Sequence, residues 1–112
     1  EYKINYIYQG RTANPPKEVL DKFGGFYQKE RSHNNEQPIK EHIRPFNAYL
    51  IRPWKNVDKE YIFQQYMLHN LLNTLEPLTW SCIEYAEKTN FFTEPCKECY
   101  WCKEKHWAFG KY

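Results

Sequence analysis

The sequence predicts a mixed α/β fold that ends in a small helical, metal-binding lobe. Three observations predict it. Residues 2–9 alternate with period two, residues near 57–74 repeat their apolar side chains every three or four positions, and all four cysteines fall in the last 31 residues. Those patterns make a strand, a packed helix and a cysteine-anchored tail. A chain of 112 residues is one domain in size and can bury a modest core. The expected organisation is an α/β part over residues 1–77 and a metal-binding lobe over 78–112.

In the opening run Tyr2, Ile4, Tyr6 and Tyr8 share one face, as aromatic and β-branched residues of a strand do. Gly10 closes it. Asn14 is placed to cap a short helix entered through Pro15-Pro16 and running to about Phe23, with Val19, Leu20 and Phe23 inward. Gly24-Gly25 stops that helix. Residues 28–42 are polar and read as a solvated loop, with Arg31 and His33 as its candidate binding residues and Arg31 as a clamp for an anion. Residues 45–51 look extended and form the second expected strand. A longer helix follows from Val57 to Thr74, capped by Asn56 with Asp58 and Glu60 in its first turn. Phe63, Met67, Leu71 and Leu75, flanked by Leu68 and Leu72, give it a wide apolar arc, so Met67 is expected in the core. His69 lies outside that arc and is expected at the surface. Leu75-Glu76-Pro77 ends the helix.

The cysteines follow the pattern Cys82-x13-Cys96-Lys-Glu-Cys99-Tyr-Trp-Cys102. Four soft thiolates from two segments can close a tetrahedral shell around Zn²⁺ and leave no open position. Two disulfides, or an iron–sulfur cluster, are the competing uses of four cysteines. Three thiols within seven residues and no visible signal peptide argue against a stapled secreted scaffold. Nothing else suggests redox work, so a structural zinc site is expected. Cys99 to Phe109 are expected to form a terminal helix with Cys99, Cys102 and His106 on one face. Because four sulfurs already satisfy zinc, His106 is read as lying beside the site or at the surface. Thiols committed to metal point to the cytoplasm. The chain opens at Glu1 without an initiator Met, directly in the strand-like run, and so reads like a piece of something longer.

Charge and composition narrow the function. Sixteen basic minus fourteen acidic residues leave +2, too little for a general nucleic-acid-binding surface. Mean hydropathy is −0.94 and no apolar run approaches the length of a membrane span. Aromatic residues make up 19% of the chain, enough to build a small core and still offer stacking surfaces. There is no nucleophile elbow, no Cys–His pair apart from the cysteine cluster, and no phosphate-cradling glycine loop. Around the cysteines, Lys97, Lys103, Lys105 and Lys111 interleave with Tyr100, Trp101 and Trp107, as in a stacking and phosphate-contacting surface. Glu94, Glu98 and Glu104 reduce that potential, so nucleic acid is a less favoured partner. Self-association stays open.

The combination Pro45-Phe46, Asp58-Lys59-Glu60, Leu78-Thr79-Trp80-Ser81-Cys82 and Pro95-Cys96-x-x-Cys99-x-x-Cys102-x-Glu104-x-x-x-Ala108-Phe109 resembles the C-terminal half of the 7-cyano-7-deazaguanine synthase family, which belongs to the PP-loop (N-type) ATP pyrophosphatases. Gly10-Arg11-Thr12-Ala13-Asn14-Pro15-Pro16 is similar to a segment that follows a central strand in related proteins. The resemblance implies a partial PP-loop domain, of the adenine nucleotide alpha hydrolase type, with a zinc-bearing C-terminal lobe. It also implies ATP-dependent adenylation of a carboxylate on a 7-deazapurine, followed by amide and then nitrile formation, as in queuosine biosynthesis. Zinc would be held by Cys82, Cys96, Cys99 and Cys102; ATP and Mg²⁺ would act only in a full-length enzyme. The family's Ser-Gly-Gly-x-Asp-Ser pyrophosphate loop is absent from this sequence, so the fragment alone is expected to be inactive. Arg31, Lys59, Thr79 and Ser81 are the candidate substrate-binding residues, and Trp80 or Tyr85 could stack on a purine-like ring. The alternative reading is a zinc-knuckle module that contacts nucleic acid or a partner protein.

Overall fold

A computed structural model describes residues 3–112. It combines a small three-stranded sheet with three α-helices, in two compact units that each draw on two separate chain segments. The first contains residues 3–14 together with Tyr27–Asp58; the second contains Pro15–Phe26 and Lys59–Tyr112.

The first unit holds the sheet. Strand β1 (Tyr6–Tyr8), β2 (Lys40–Ile43) and β3 (Ala48–Ile51) lie in the order β1-β3-β2. β1 runs parallel to β3, with Tyr6 opposite Tyr49, and β2 runs antiparallel to it, with His42 opposite Tyr49. A parallel pair needs a crossover connection, and the chain between β1 and β3 is long enough to supply one. The first strand is shorter than its alternation suggests, and Tyr2 lies outside the described residues. Tyr6, Tyr49 and His42 meet side by side on one face, with the Lys40 ammonium 4.4 Å from the Tyr49 ring centre. β2 lies in a stretch that reads as polar loop. Its partner is an antiparallel neighbour reached through a tight turn at Asn47, whose left-handed backbone (φ 45°) suits Asn.

This unit is tied together by buried polar groups as much as by apolar ones. Asn14 does not cap the helix; its side chain is buried and exchanges two hydrogen bonds with the backbone of Gln28, at 2.8 and 3.0 Å. Arg31 is also buried: Nε donates to the Thr12 carbonyl at 2.8 Å and Nη2 to the Ala13 carbonyl at 2.9 Å. Arg52 donates to the Pro38 carbonyl at 3.0 Å and to the Glu41 carboxylate at 2.8 Å, and Lys55 to the Asn35 carbonyl at 3.2 Å. Three cations therefore anchor the residue 28–42 segment, which is not a free loop and ends in β2. Burying a charged donor is tolerable here because carbonyl oxygens accept from it.

The second unit is helical. Helix α1 (Lys17–Phe23) buries Leu20 and ends at Gly24, whose φ of 68° is the left-handed conformation glycine adopts without penalty. Helix α2 (Lys59–Leu68) is shorter than the apolar spacing suggests and starts after Asn56. Asn70 turns the chain left-handed (φ 57°), so Leu71 and Leu75 fall beyond the helix and Met67 and Leu68 are exposed. Met67 is thus a surface residue. Helix α3 (Tyr100–Phe109) starts just after Cys99 and takes in Cys102, as the spacing predicts, and closes on left-handed Gly110. Phe109 sits edge-on against Phe63 and Tyr66 of α2, each at 5.3 Å, and Tyr100 meets Phe23 at 5.5 Å. No helix among the described residues is long and apolar enough to cross a membrane.

Candidate metal centre

All four cysteines are free thiols, and their sulfurs lie within 4.8 Å of one another. Cys96 Sγ and Cys102 Sγ are 3.9 Å apart, close to the ~3.8 Å edge of a zinc–sulfur tetrahedron with ~2.3 Å bonds. Local geometry explains the convergence. Cys99 is the residue before α3 and Cys102 lies in its first turn, so the helix start presents both from one side. Cys96 is delivered by a turn at Lys97, which adopts a left-handed φ of 66°. Backbone N–H groups of Glu98 and Cys99 then donate to the Cys96 sulfur at 3.4 and 3.2 Å, and the N–H of Cys96 donates to Cys82 Sγ at 3.4 Å. Donors aimed at sulfur are what a thiolate needs.

The same contacts separate the thiols electrostatically. Burial pushes Cys96 up, but the amide donors from Glu98 and Cys99, together with the Cys82 and Cys99 thiols, outweigh it and bring the thiol down to about 7. Burial pushes Cys102 well above the usual thiol value, and its neighbours Cys99 and Cys82 push the same way. Cys82 and Cys102 are buried, whereas Cys96 and Cys99 are half-buried. A divalent cation would replace the protons and remove the repulsion among four sulfurs. The four cysteines together could hold a metal ion. His106 is not among them; it is exposed and stacks on Tyr112 with ring centres 4.4 Å apart.

The thirteen residues between Cys82 and Cys96 are ordered by one side chain. Thr89 is fully buried; its hydroxyl donates to the Tyr85 carbonyl at 2.9 Å and accepts from the Phe92 N–H at 3.0 Å, while its carbonyl accepts from Thr93 and Glu94. Asn90, Phe91 and Phe92 run left-handed in succession (φ 48°, 56° and 63°). The loop therefore returns the chain to Cys82 by a tight, locally hydrogen-bonded path.

Helix α3 is held behind the cysteines by two buried ion-pair sets that sequence reasoning missed. Glu76 takes Lys105 at 3.0 Å and Lys111 at 3.1 Å, and Glu104, which is fully buried, takes Lys59 at 3.3 Å. Burial alone would raise the Glu76 carboxyl, but the two ammonium groups outweigh it and hold it below its ordinary value. Lys105 and Lys111 read in the sequence as surface basic residues; Lys105 is in fact buried and both are neutralised by Glu76. Glu76 lies between Leu75 and Pro77-Leu78 in the sequence, but Glu104 lies between Lys103 and Lys105, so nothing local marked it as buried.

The other sequence candidates are scattered. Arg31 belongs to the sheet-bearing unit, where backbone carbonyls take up its guanidinium. Lys59 begins α2 and pairs with Glu104. Thr79 donates its hydroxyl to the Glu76 carbonyl at 2.7 Å and accepts from Lys105 at 3.1 Å, and Ser81 is half-buried beside Cys82. Trp80 and Tyr85 are exposed. Lys59, Thr79 and Ser81 thus share the cysteine-bearing unit, and Arg31 does not. Comparisons with protein-family models, with curated proteins and with solved structures found no match for this chain.

Proposed function

We propose that Cys82, Cys96, Cys99 and Cys102 hold one structural Zn²⁺, and that the chain is the zinc-bearing portion of an ATP-dependent ligase resembling the 7-cyano-7-deazaguanine synthases. One observation carries the reading. The two segments on which the resemblance rests most, Leu78–Cys82 and Pro95–Phe109, converge in a single unit with their sulfurs at metal-site spacing. Thiolate ligands with amide donors, from a closed set of four, suit zinc, which needs tetrahedral sulfur and no open position in a structural role. Zinc supplies folding free energy there and no chemistry.

In this reading the chain performs no adenylation by itself. A pyrophosphate-binding loop needs clustered backbone amides and hydroxyls, and the Ser-Gly-Gly-x-Asp-Ser sequence that provides them in the family is not present. The contribution of this chain is a rigid platform. Zinc fixes Cys82, and with it the preceding Thr79–Ser81, against α3, where a deazapurine ring could be positioned. The test compares ATP–pyrophosphate exchange in the presence of a 7-deazapurine carboxylate. A longer protein containing these residues and a pyrophosphate loop should exchange, and the 112-residue chain should not. Exchange by the 112 residues alone, or none by such a longer protein loaded with zinc, contradicts the reading.

A further inference from the structure

Beside the cysteine cluster, helices α1 and α3 and the Cys96–Cys99 turn enclose an open cleft of about 450 Å³, within the usual range of ligand sites. Its lining is unusual for a chain whose charges nearly cancel. Lys22, Lys97, Lys103 and His106 face it together with Trp107 and Tyr112, and no acidic side chain lines it. Among the described residues none of these three lysines pairs with an acidic side chain. Lys103 reaches only the Phe23 carbonyl, at 3.4 Å, and Lys97 lies 5.9 Å from the Tyr112 ring centre. The neighbouring cations are disposed of differently: Lys59, Lys105 and Lys111 are neutralised by Glu104 and Glu76. Glu76 and Glu104 are thus taken up by other lysines, and with no acidic side chain in its lining the cleft keeps a local positive potential that net charge conceals.

We propose that this cleft binds single-stranded nucleic acid, with phosphates against Lys22, Lys97 and Lys103 and a base against Trp107 and the His106–Tyr112 stack. The three ammonium groups come from three separate places, α1, the cysteine turn and α3. That spread suits successive phosphates along a strand more than the compact charge of one. Aromatic rings stack with any base, so the recognition is tolerant of sequence. The metal site has a role in it: Lys97 is held in a left-handed turn between two ligands, so its direction is set by the same geometry that sets the sulfurs. This goes beyond the ligase reading and does not depend on it.

The experiment is fluorescence anisotropy with the zinc-loaded full chain and a labelled single-stranded oligonucleotide of about ten residues. Three phosphate contacts predict that affinity falls about twentyfold between 50 and 200 mM salt. The variant Lys22→Gln/Lys97→Asn/Lys103→Gln should bind about tenfold or more weakly with a flatter salt dependence; Asn is chosen at 97 because it tolerates the left-handed backbone. Lys88→Gln, on an exposed lysine outside the cleft, should bind as the parent does. Circular dichroism and zinc content confirm that the triple variant is folded. Three results would overturn the proposal: no binding at 50 mM salt, binding indifferent to the triple substitution in folded protein, or a free mononucleotide bound as tightly as the oligonucleotide.

Discussion

At the scale of single residues, Glu76 is the most consequential acidic group. It is buried, accepts from two lysines, and holds the end of α3 behind the metal site. Its carboxyl value is lowered by folding, so the ion pairs stabilise the protein above the ordinary value near 4.5 and the contribution is lost as pH falls through the lower, folded value. Thermal melts should therefore show a loss of stability below about pH 4.5 that is absent from Glu76→Gln. The variant itself should be destabilised by about 3 kcal/mol at neutral pH, because Lys105 stays buried with its main partner gone. An unchanged acid limb in the variant would show that Glu76 does not carry it. His106 makes the opposite case. It lies outside the sulfur cluster, so His106→Ala should retain the metal, as measured by metal content, whereas Cys102→Ser should lose it.

Two elements show what the sequence could and could not disclose. Helix α3 was legible: cysteines at spacing three, aromatics behind them and Gly110 at the end all point to one short helix. Gly24 as the stop of α1 was equally plain. The length of α2 was not, because apolar spacing continues past residue 68 while Asn70 breaks the backbone locally. β2 was hidden because its residues are polar and its place is set by pairing with β3, a long-range fact. Arg31 and Asn14 misled for a related reason. Their types suit an anion clamp and a helix cap, but here backbone groups far along the chain use them first. At the candidate metal centre the grouping of the four cysteines was readable from spacing, while the amide donors to sulfur and the buried carboxylates depend on folded geometry. Two predictions belong to elements. Gly110→Ala should cost about 1 kcal/mol by melting, from conformation alone, since a Cβ there meets nothing within 4 Å. Phe91→Asn should stabilise by up to about 1 kcal/mol, because Phe91 is 81% exposed and holds a left-handed backbone that Asn tolerates better.

At the scale of the whole molecule, six hydrophobic residues are buried among the described residues: Ala13, Leu20, Ala48, Cys82, Cys102 and Ala108. Two of those six are cysteines of the metal cluster. A core that small leaves metal binding, on the order of 10 kcal/mol for structural zinc, comparable to the entire stability of a domain. Removing the ion should therefore release the cysteine-bearing unit, and hydrogen exchange after chelation should rise first in Tyr100–Phe109, ahead of Ala48–Ile51 of the sheet. Simultaneous loss of protection in both would show that the metal stabilises the chain as one cooperative whole. The most direct measurement of the central claim is native mass spectrometry with elemental analysis of the purified, reduced chain. The account predicts one zinc per chain, bound with four thiols deprotonated and abolished in Cys102→Ser. A metal-free chain with the four cysteines paired in disulfides would contradict it.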